Sequence, residues 1–308
     1  MELKCGYNCI NLTLGRTFNY LRLDTIKSGD IGKVQRVYNH NIKLLGDLLE
    51  WNLLQGVKAF RVSSGLFPFL NHATMQSLLR YYPILTNRAF VNEICRIKNL
   101  IIANDISLSV HPGQYNVLNS HNSATVERTI NELEYQNKIM NLLGGKIIVL
   151  HLGGGFKDKR SSIARFIEVA HNNLSASTMS KLSLENDDKI FNVDDVTYVA
   201  ERLGCNWVYD FHHEKLNNSK DALASIKDFN PIKYHICQGR GGELVIPHAY
   251  YVDVELVNKL INQLEGIGID KALFMFEAKG KELTLFDAME SQGNGLWTTR
   301  KVNKRFET

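Results

Sequence analysis

KIIVLHLGGG, residues 146–155, decides how the rest of the chain is read. The apolar run is unbroken up to His151, and Gly153, Gly154 and Gly155 follow. A strand that is apolar on both faces belongs to a parallel sheet covered on both sides. A histidine at the end of such a strand makes sense where several strand ends gather around one site. The same form recurs along the chain. SLSVHPGQY reaches His111, LSLEND reaches Glu185, NWVYDFHH reaches Asp210 and His213, IKYHICQG reaches His235, and ALFMFEAKGKE reaches Glu277. His248 follows in a loop, VIPHAYY. Parallel strands closed into a barrel bring their C-terminal ends to one face, where barrel enzymes hold their active sites.

Working outward, strand-like runs at 4–8, 57–62, 106–111, 146–151, 181–185, 206–210, 232–237 and 272–277 alternate with helical patterns. Those patterns fall near 34–54, 88–104, 123–143, 160–174, 193–203, 219–227 and 253–265. In 123–143, Val126, Ile130, Leu133, Ile139 and Leu142 keep a helical period, with Ser123 as an expected cap and Gly144 as the stop. The expected fold class is α/β, a TIM (β/α)8 barrel over residues 1–287, followed by a basic C-terminal extension over 288–308. A doubly wound open sheet is the alternative, but it places ligands at one switch point, whereas ligand-type residues here end many strands.

A chain of 308 residues suits one such barrel with extensions. Its hydrophobic share of 44% and charged share of 22% are those of a globular protein with a sizeable core. The formal charge of +4 permits a polyanionic substrate without establishing one. Five irregularly spaced cysteines make a poor disulfide framework. Cys5 and Cys9 lack the second pair that a zinc site of that kind needs. With no signal-peptide pattern and no apolar run of membrane length, the expected location is intracellular, in the cytoplasm or nucleoid.

Imidazoles and carboxylates together suit Zn²⁺ or Mn²⁺, so the strand-end residues point to a multinuclear metal enzyme. Glu185 and Glu277 end apolar strands, where a carboxylate is costly unless paired or bound to a cation. If His213 ligates a metal, His212 points elsewhere. The three glycines after His151 serve either a tight turn or the approach of a phosphate, and no GK[ST] is present to make a nucleotide-binding loop. Lys157, Lys159, Arg160 and Lys279 are candidate phosphate contacts. Pro112-Gly113 forces a turn that exposes Gln114 and Tyr115, where an aromatic can stack on a base or wedge into a duplex. Tyr7, ending the first strand, is a second aromatic expected at the same mouth.

GYNCINLTLG (6–15), FRVSSGLFPFLNH (60–72), HPGQYNVLNS (111–120), LHLGGG (150–155), LEND (184–187), DFHH (210–213) and EAKGKE (277–282), in this order, resemble the UV damage endonuclease family. The likeness runs over roughly residues 5–285. It implies a TIM barrel similar to endonuclease IV. It implies up to three divalent metals, manganese first, with zinc, magnesium or cobalt as alternatives. The reaction would be hydrolysis of the phosphodiester immediately 5′ to pyrimidine dimers, 6-4 photoproducts and abasic sites in double-stranded DNA. The implied metal ligands are His72, His111, His151, Glu185, Asp210, His213, His235, His248 and Glu277. Gln114 and Tyr115 match the pair that probes the duplex, and Tyr7 matches a tyrosine near the lesion. Where endonuclease IV carries Asp-x-His, this chain has Ile246-Pro247-His248, without the carboxylate. Lys233, two residues before His235, is similar to a lysine of that family that can be carboxylated; as N6-carboxylysine it would restore the missing oxygen ligand, and the alternative is a plain phosphate-binding or salt-bridged lysine.

The resemblance leads to a grouping in which His111, His151 and Glu185 hold one metal. Glu185, Asp210, His235 and Glu277 would hold a second, and His213 and His248, with Lys233 or His72, a third. Glu185 and Glu277 would position the attacking water, with Lys233 beside them. The expected partner is damaged duplex DNA, acted on by a monomer with no nucleotide cofactor and no membrane. A metal-dependent sugar isomerase, a pure abasic-site endonuclease and a non-catalytic DNA-binding protein are the other readings.

Overall fold

The apolar runs become eight strands because each can be buried on two faces at once, against the barrel interior and against a helix layer. The computed structural model describes residues 1–242 and 245–290. The strands are β1 (Glu2–Asn8), β2 (Ala59–Val62), β3 (Ser107–Val110), β4 (Ile147–His151), β5 (Leu182–Glu185), β6 (Asn206–Asp210), β7 (Lys233–Ile236) and β8 (Lys271–Phe276). All pair in parallel in sequence order. β1 closes on β8 from Glu2↔Lys271 to Tyr7↔Phe276. This is a TIM barrel, as the strand runs predict.

The helices are α1 (Leu23–Lys27), α2 (Ile31–Leu54), α3 (Ala73–Tyr81), α4 (Arg88–Ala103), α5 (Ser123–Leu143) and α6 (Lys159–Asn173). They continue with α7 (Ala176–Met179), α8 (Val193–Leu203), α9 (Phe211–Leu216), α10 (Ala222–Asp228), α11 (Val254–Gly266) and α12 (Lys281–Glu290). α2 shows why they form. Asp30 caps it by accepting from the Lys33 N–H, and Val34, Val37, Tyr38, Ile42, Leu45, Leu48 and Leu49 fall on its buried side. Full burial of one such aliphatic side chain is worth roughly 1.5–3 kcal/mol. α5 is capped by Asn122 rather than by Ser123, which is its first helical residue. Asn122 holds extended backbone and its side chain accepts from the Thr125 N–H. Gly144, at φ 83°, ends the helix in the left-handed conformation.

α12 runs through the expected boundary at 287, and Ala288 and Met289 are buried in the core. The barrel domain therefore extends at least to Glu290, and the expected basic extension from 291 onward lies outside the described residues. No helix among the described residues is long and apolar enough to cross a membrane.

Two apolar clusters divide the molecule. The large one fills the space between strands and helices. The small one, Ile147, Val149 and Val208 with Ile232 and Leu273, plugs the barrel interior. Above this plug the inward positions turn polar. Lys233 on β7 reaches across to Ser109 on β3, Nζ to Oγ 3.2 Å, which shows both side chains inside the ring. At Gly6 any Cβ would collide with the Ala59 carbonyl, so the close approach of β1 to β2 requires glycine.

Candidate metal centre at the barrel mouth

Glu185 is the hub. Its strand leaves it 1% exposed, with His151 beside it in register on β4. Oε2 lies 2.8 Å from His111 Nε2 and 3.5 Å from His151 Nε2, and Oε1 lies 2.7 Å from His235 Nδ1. Burial alone would raise the Glu185 pKa, but His235 and His151 outweigh it and hold the carboxyl well below its usual range. Two groups of ligand atoms converge, each within 4.8 Å: His111, His151 and Glu185, and Glu185, Asp210 and His213.

The local folding of DFHH explains Asp210. The strand ends there and α9 begins at once, so Asp210 becomes the helix cap. Its Oδ1 accepts from the His212 and His213 N–H groups, both at 2.8 Å. Its Oδ2 is buried with no hydrogen-bond partner. Asn186, from LEND, ties the two strand ends together. It accepts from the Asp210 N–H at 2.8 Å, and its amide donates to the Asp210 carbonyl at 3.0 Å.

The histidine tautomers follow from their carbonyl partners, because a carbonyl can only accept. Nδ1 of His111 donates to the Pro112 carbonyl at 3.0 Å, Nδ1 of His213 to the Asn186 carbonyl at 2.8 Å, and Nδ1 of His248 to the Glu277 carbonyl at 3.0 Å. Once neutral, each ring offers Nε2 as the nitrogen for a metal ion, the arrangement that orients metal-binding histidines. Burial pushes the His111 imidazole down to about 4 despite Glu185. A neutral ring carries one proton, yet two acceptors flank it, the Pro112 carbonyl at Nδ1 and the Glu185 carboxylate at Nε2. A bound cation resolves that conflict. The buried, unpartnered Asp210 Oδ2, His151 Nδ1 and His235 Nε2 add to the case. The donor set fits divalent metal ions. Burial also lowers the His213 pKa, but Asp210 and Glu185 outweigh it and hold the imidazole up to about 9.

Glu277 sits on the other side of the mouth. It pairs with Arg61 from β2, and its Oε1 lies 3.2 Å from His235 Nδ1. Burial would raise its pKa, yet Arg61 and His235 bring it to about 2. Arg61 is not among the residues that the sequence patterns single out. Its signal is an arginine inside the short apolar strand AFRV, at the same end as the other site residues. Lys233 is fully buried, and burial followed by Arg61 pushes its amine down to about 7. His248 Nε2 faces the Cys237 thiol at 3.8 Å, and His212 donates to the Val245 carbonyl at 2.9 Å. His213 lies with Glu185 and Asp210 in the second converging group.

Tyr7 and Lys159 are corrected, and His72 stands apart. His72 is not in either converging group. It caps α3, with Nδ1 accepting from the Thr74 N–H at 3.2 Å and its ring edge-on to Phe69. Tyr7 does not face the mouth: strand alternation turns it outward, edge-on to Phe60, with 0% exposure. Its hydroxyl donates to Asn52 on α2 and accepts from Asn11, both at 2.7 Å. Lys159 is engaged by Asp195, so it is not a free phosphate contact.

Lys157 and Lys279 are exposed on the loops after β4 and β8, and Arg160 is exposed in the first turn of α6. Gln114 is exposed and Tyr115 is 83% exposed, on a tip closed by the Asn116 N–H to the Gly113 carbonyl at 3.0 Å. Below the tip, Leu118 and Asn119 are fully buried. Asn119 clamps the glycine turn after β4, donating to the Gly154 carbonyl at 2.8 Å and accepting from its N–H at 3.1 Å. Gly153, at φ 91°, has no room for a Cβ beside Asn119. The glycines serve the turn, and the Gly154 N–H is already used. The loop after β7 adds exposed Tyr250 and Tyr251, ring centroids 4.9 Å apart.

Residues 3–306 match the profile described as UV-endonuclease UvdE. A UV DNA damage endonuclease of Halalkalibacterium halodurans is 28% identical over 311 residues, covering 94% of both chains. A UV-damage endonuclease of Schizosaccharomyces pombe is 30% identical over 226 residues, covering 69% of this chain and 36% of that longer protein. The crystal structure of SacUVDE superposes with a TM-score of 0.83 at 26% identity, covering 96% of this chain and 100% of that one. Endonuclease IV from Thermus thermophilus shares the fold, with a TM-score of 0.56 at 14% identity over 81% of this chain and 93% of its own. A profile match along almost the whole length, with a strand-by-strand fold in agreement, places the chain: it belongs to the UV-endonuclease UvdE family.

Proposed function

We propose that this protein is a metal-dependent endonuclease that hydrolyses the DNA phosphodiester immediately 5′ to cyclobutane pyrimidine dimers, 6-4 photoproducts and abasic sites. One observation carries the reading: ligand atoms around Glu185 converge at an open barrel mouth beside the exposed Gln114–Tyr115 tip. His111, His151, Glu185, Asp210 and His213 would hold the first ions, with His235, His248, Glu277 and Lys233 completing a centre of up to three. Manganese is the first choice, since the mixed imidazole and carboxylate set suits it as well as zinc. When bound, such ions lower the pKa of water and offset charge on phosphoryl oxygens.

The chain's own residues do the rest. Glu185 and Glu277 orient the attacking water toward phosphorus. The Nδ1–H bonds from His111, His213 and His248 to backbone carbonyls keep their rings aimed. Lys233, with its depressed amine pKa, has a neutral fraction at pH 7 that can take up CO₂. As a carbamate it would supply the oxygen that Ile246-Pro247-His248 lacks. A photoproduct weakens stacking and pairing, so its extrusion costs less than that of normal bases. Tyr115 and Gln114 would fill the gap, and Lys157, Arg160 and Lys279 would contact phosphates. The protein would act intracellularly, as a monomer on damaged duplex DNA.

The test is a nicking assay on three labelled duplexes, carrying one cyclobutane dimer, one abasic site or no damage, with Mn²⁺ and then EDTA. A cut immediately 5′ to the dimer, abolished by EDTA, is the expected result. Cutting of the abasic duplex alone would move the assignment to an abasic-site enzyme. No cutting by the metal-loaded protein would sink the nuclease reading.

A further inference from the structure

Glu277 ends a buried strand as the other ligand candidates do, yet, like His235 and His248, it belongs to neither converging group. Its carboxylate is already occupied by the Arg61 guanidinium, in a pair whose side chains are 13% and 10% exposed. The histidines around Glu185 can lose a proton to make room for a metal ion. Arg61 cannot, because guanidinium stays charged in proteins. A divalent ion arriving at Glu277 therefore meets a fixed positive charge in a poorly screened setting, where like charges repel strongly. Lys233, fully buried inside the same ring, adds a second cation on this side whenever it is protonated and unmodified.

We infer that Arg61 is a resident cation that sets the filling order of the centre: the two groups sharing Glu185 take metal first, and the Glu277 side takes it last and most weakly. The inference rests on the metal-dependent reading above. Arg61 is on this account a positioning residue. It holds Glu277 in place while no ion is there and limits how tightly one can bind.

The test is Mn²⁺ titration of the full-length protein, followed by electron paramagnetic resonance of free Mn²⁺ and by calorimetry. Wild type, Arg61→Gln, Arg61→Lys and Glu277→Gln are compared. Wild type should show tight equivalents and one weaker equivalent. Arg61→Gln should tighten the weaker one by about tenfold or more, the scale of a close charge pair in a desolvated setting. Arg61→Lys, which keeps the charge, should leave it weak. Glu277→Gln should lose only the weak equivalent. Uniform weakening in Arg61→Gln with an unchanged melting temperature would overturn the inference, because Arg61 would then be a buttress for Glu277. A wild type that binds every equivalent with one affinity would overturn it too. If Arg61→Gln fails to fold, Arg61→Lys against Glu277→Gln still decides: loss of a tight equivalent in Glu277→Gln overturns the proposal. Absence of Mn²⁺ binding in every variant would instead sink the metal reading itself.

Discussion

The two halves of the barrel mouth are built on opposite principles. On the β3–β6 side, His111, His151, Glu185, Asp210 and His213 converge, with ligand atoms left bare or unpartnered. On the β2–β7–β8 side, Arg61 pairs with Glu277, and Lys233 reaches Ser109. One half presents a donor set that fits cations from outside, and the other carries its own. The difference teaches that a ring of acidic and imidazole residues is not a ring of equal ligands. Neighbouring charges decide which of them is free to bind.

The largest expected effect tests that contrast directly. Glu185→Gln removes the carboxylate that both groups share. It should abolish tight metal binding and lower nicking by about 10³-fold or more, the cost of losing a central charge-stabilising group. Metal content by atomic emission and the nicking rate check it. Retained tight binding would break the comparison, since Glu185 would then not be the hub.

Next comes the tip. Tyr115→Ala should weaken binding to a dimer-containing duplex by about 1–3 kcal/mol, the usual value of one stacked aromatic, with metal content unchanged. Fluorescence anisotropy and atomic emission read the two quantities separately. Equal metal loss would show that the tip and the centre are not independent.

A smaller effect concerns the rim cations. Neutralising Arg160 or Lys279 should reduce the slope of log K against log salt by about 0.9 for each phosphate that is no longer neutralised. Lys159→Ala should leave that slope unchanged, because Asp195 already engages Lys159. A changed slope for Lys159→Ala would show that the lysine leaves Asp195 to bind a phosphate.

The smallest effect lies outside the centre, at Glu282. Its Oε1 accepts from the Thr13 N–H at 2.7 Å, while Oε2 is buried without a partner. Burial raises its pKa above the ordinary carboxyl value. A carboxyl raised in the folded state binds protons more readily folded than unfolded, so stability grows as pH falls through its folded pKa toward the unfolded one. Melting temperatures from pH 7 to pH 4.5 should therefore shift in favour of wild type over Glu282→Gln as pH falls. Parallel curves would show that Glu282 does not titrate in this way.

Much of this architecture is legible in the sequence because strand burial is a strong local signal. KIIVL and ALFMF announce β4 and β8, and the ligand residues stand at or just past their ends. α3 escapes notice because ATMQSLLRY fully buries only Met75. α12 escapes because it begins at Lys281, inside the last site motif, and runs past the boundary expected at 287. Tyr7 misleads because one residue of strand parity separates the barrel interior from the helix layer, and the sequence alone does not supply the register. Arg61 and Lys159 are decided by partners far along the chain, Glu277 and Asp195, so no local pattern reveals them.

The clamp made by Asn119 has a mechanical consequence. It binds the base of the Gln114–Tyr115 tip to the turn after β4, and Leu118 anchors it from below. If the tip probes DNA, as proposed, a stylus held at its base in this way would leave the duplex to give way to it. On the proposed reading the protein then gauges the stiffness of the helix and does not inspect the chemistry of the lesion. Its affinity for chemically unrelated defects should rank by how easily each lets the duplex hinge. A bulge or mismatch as compliant as a dimer should be held as well as one.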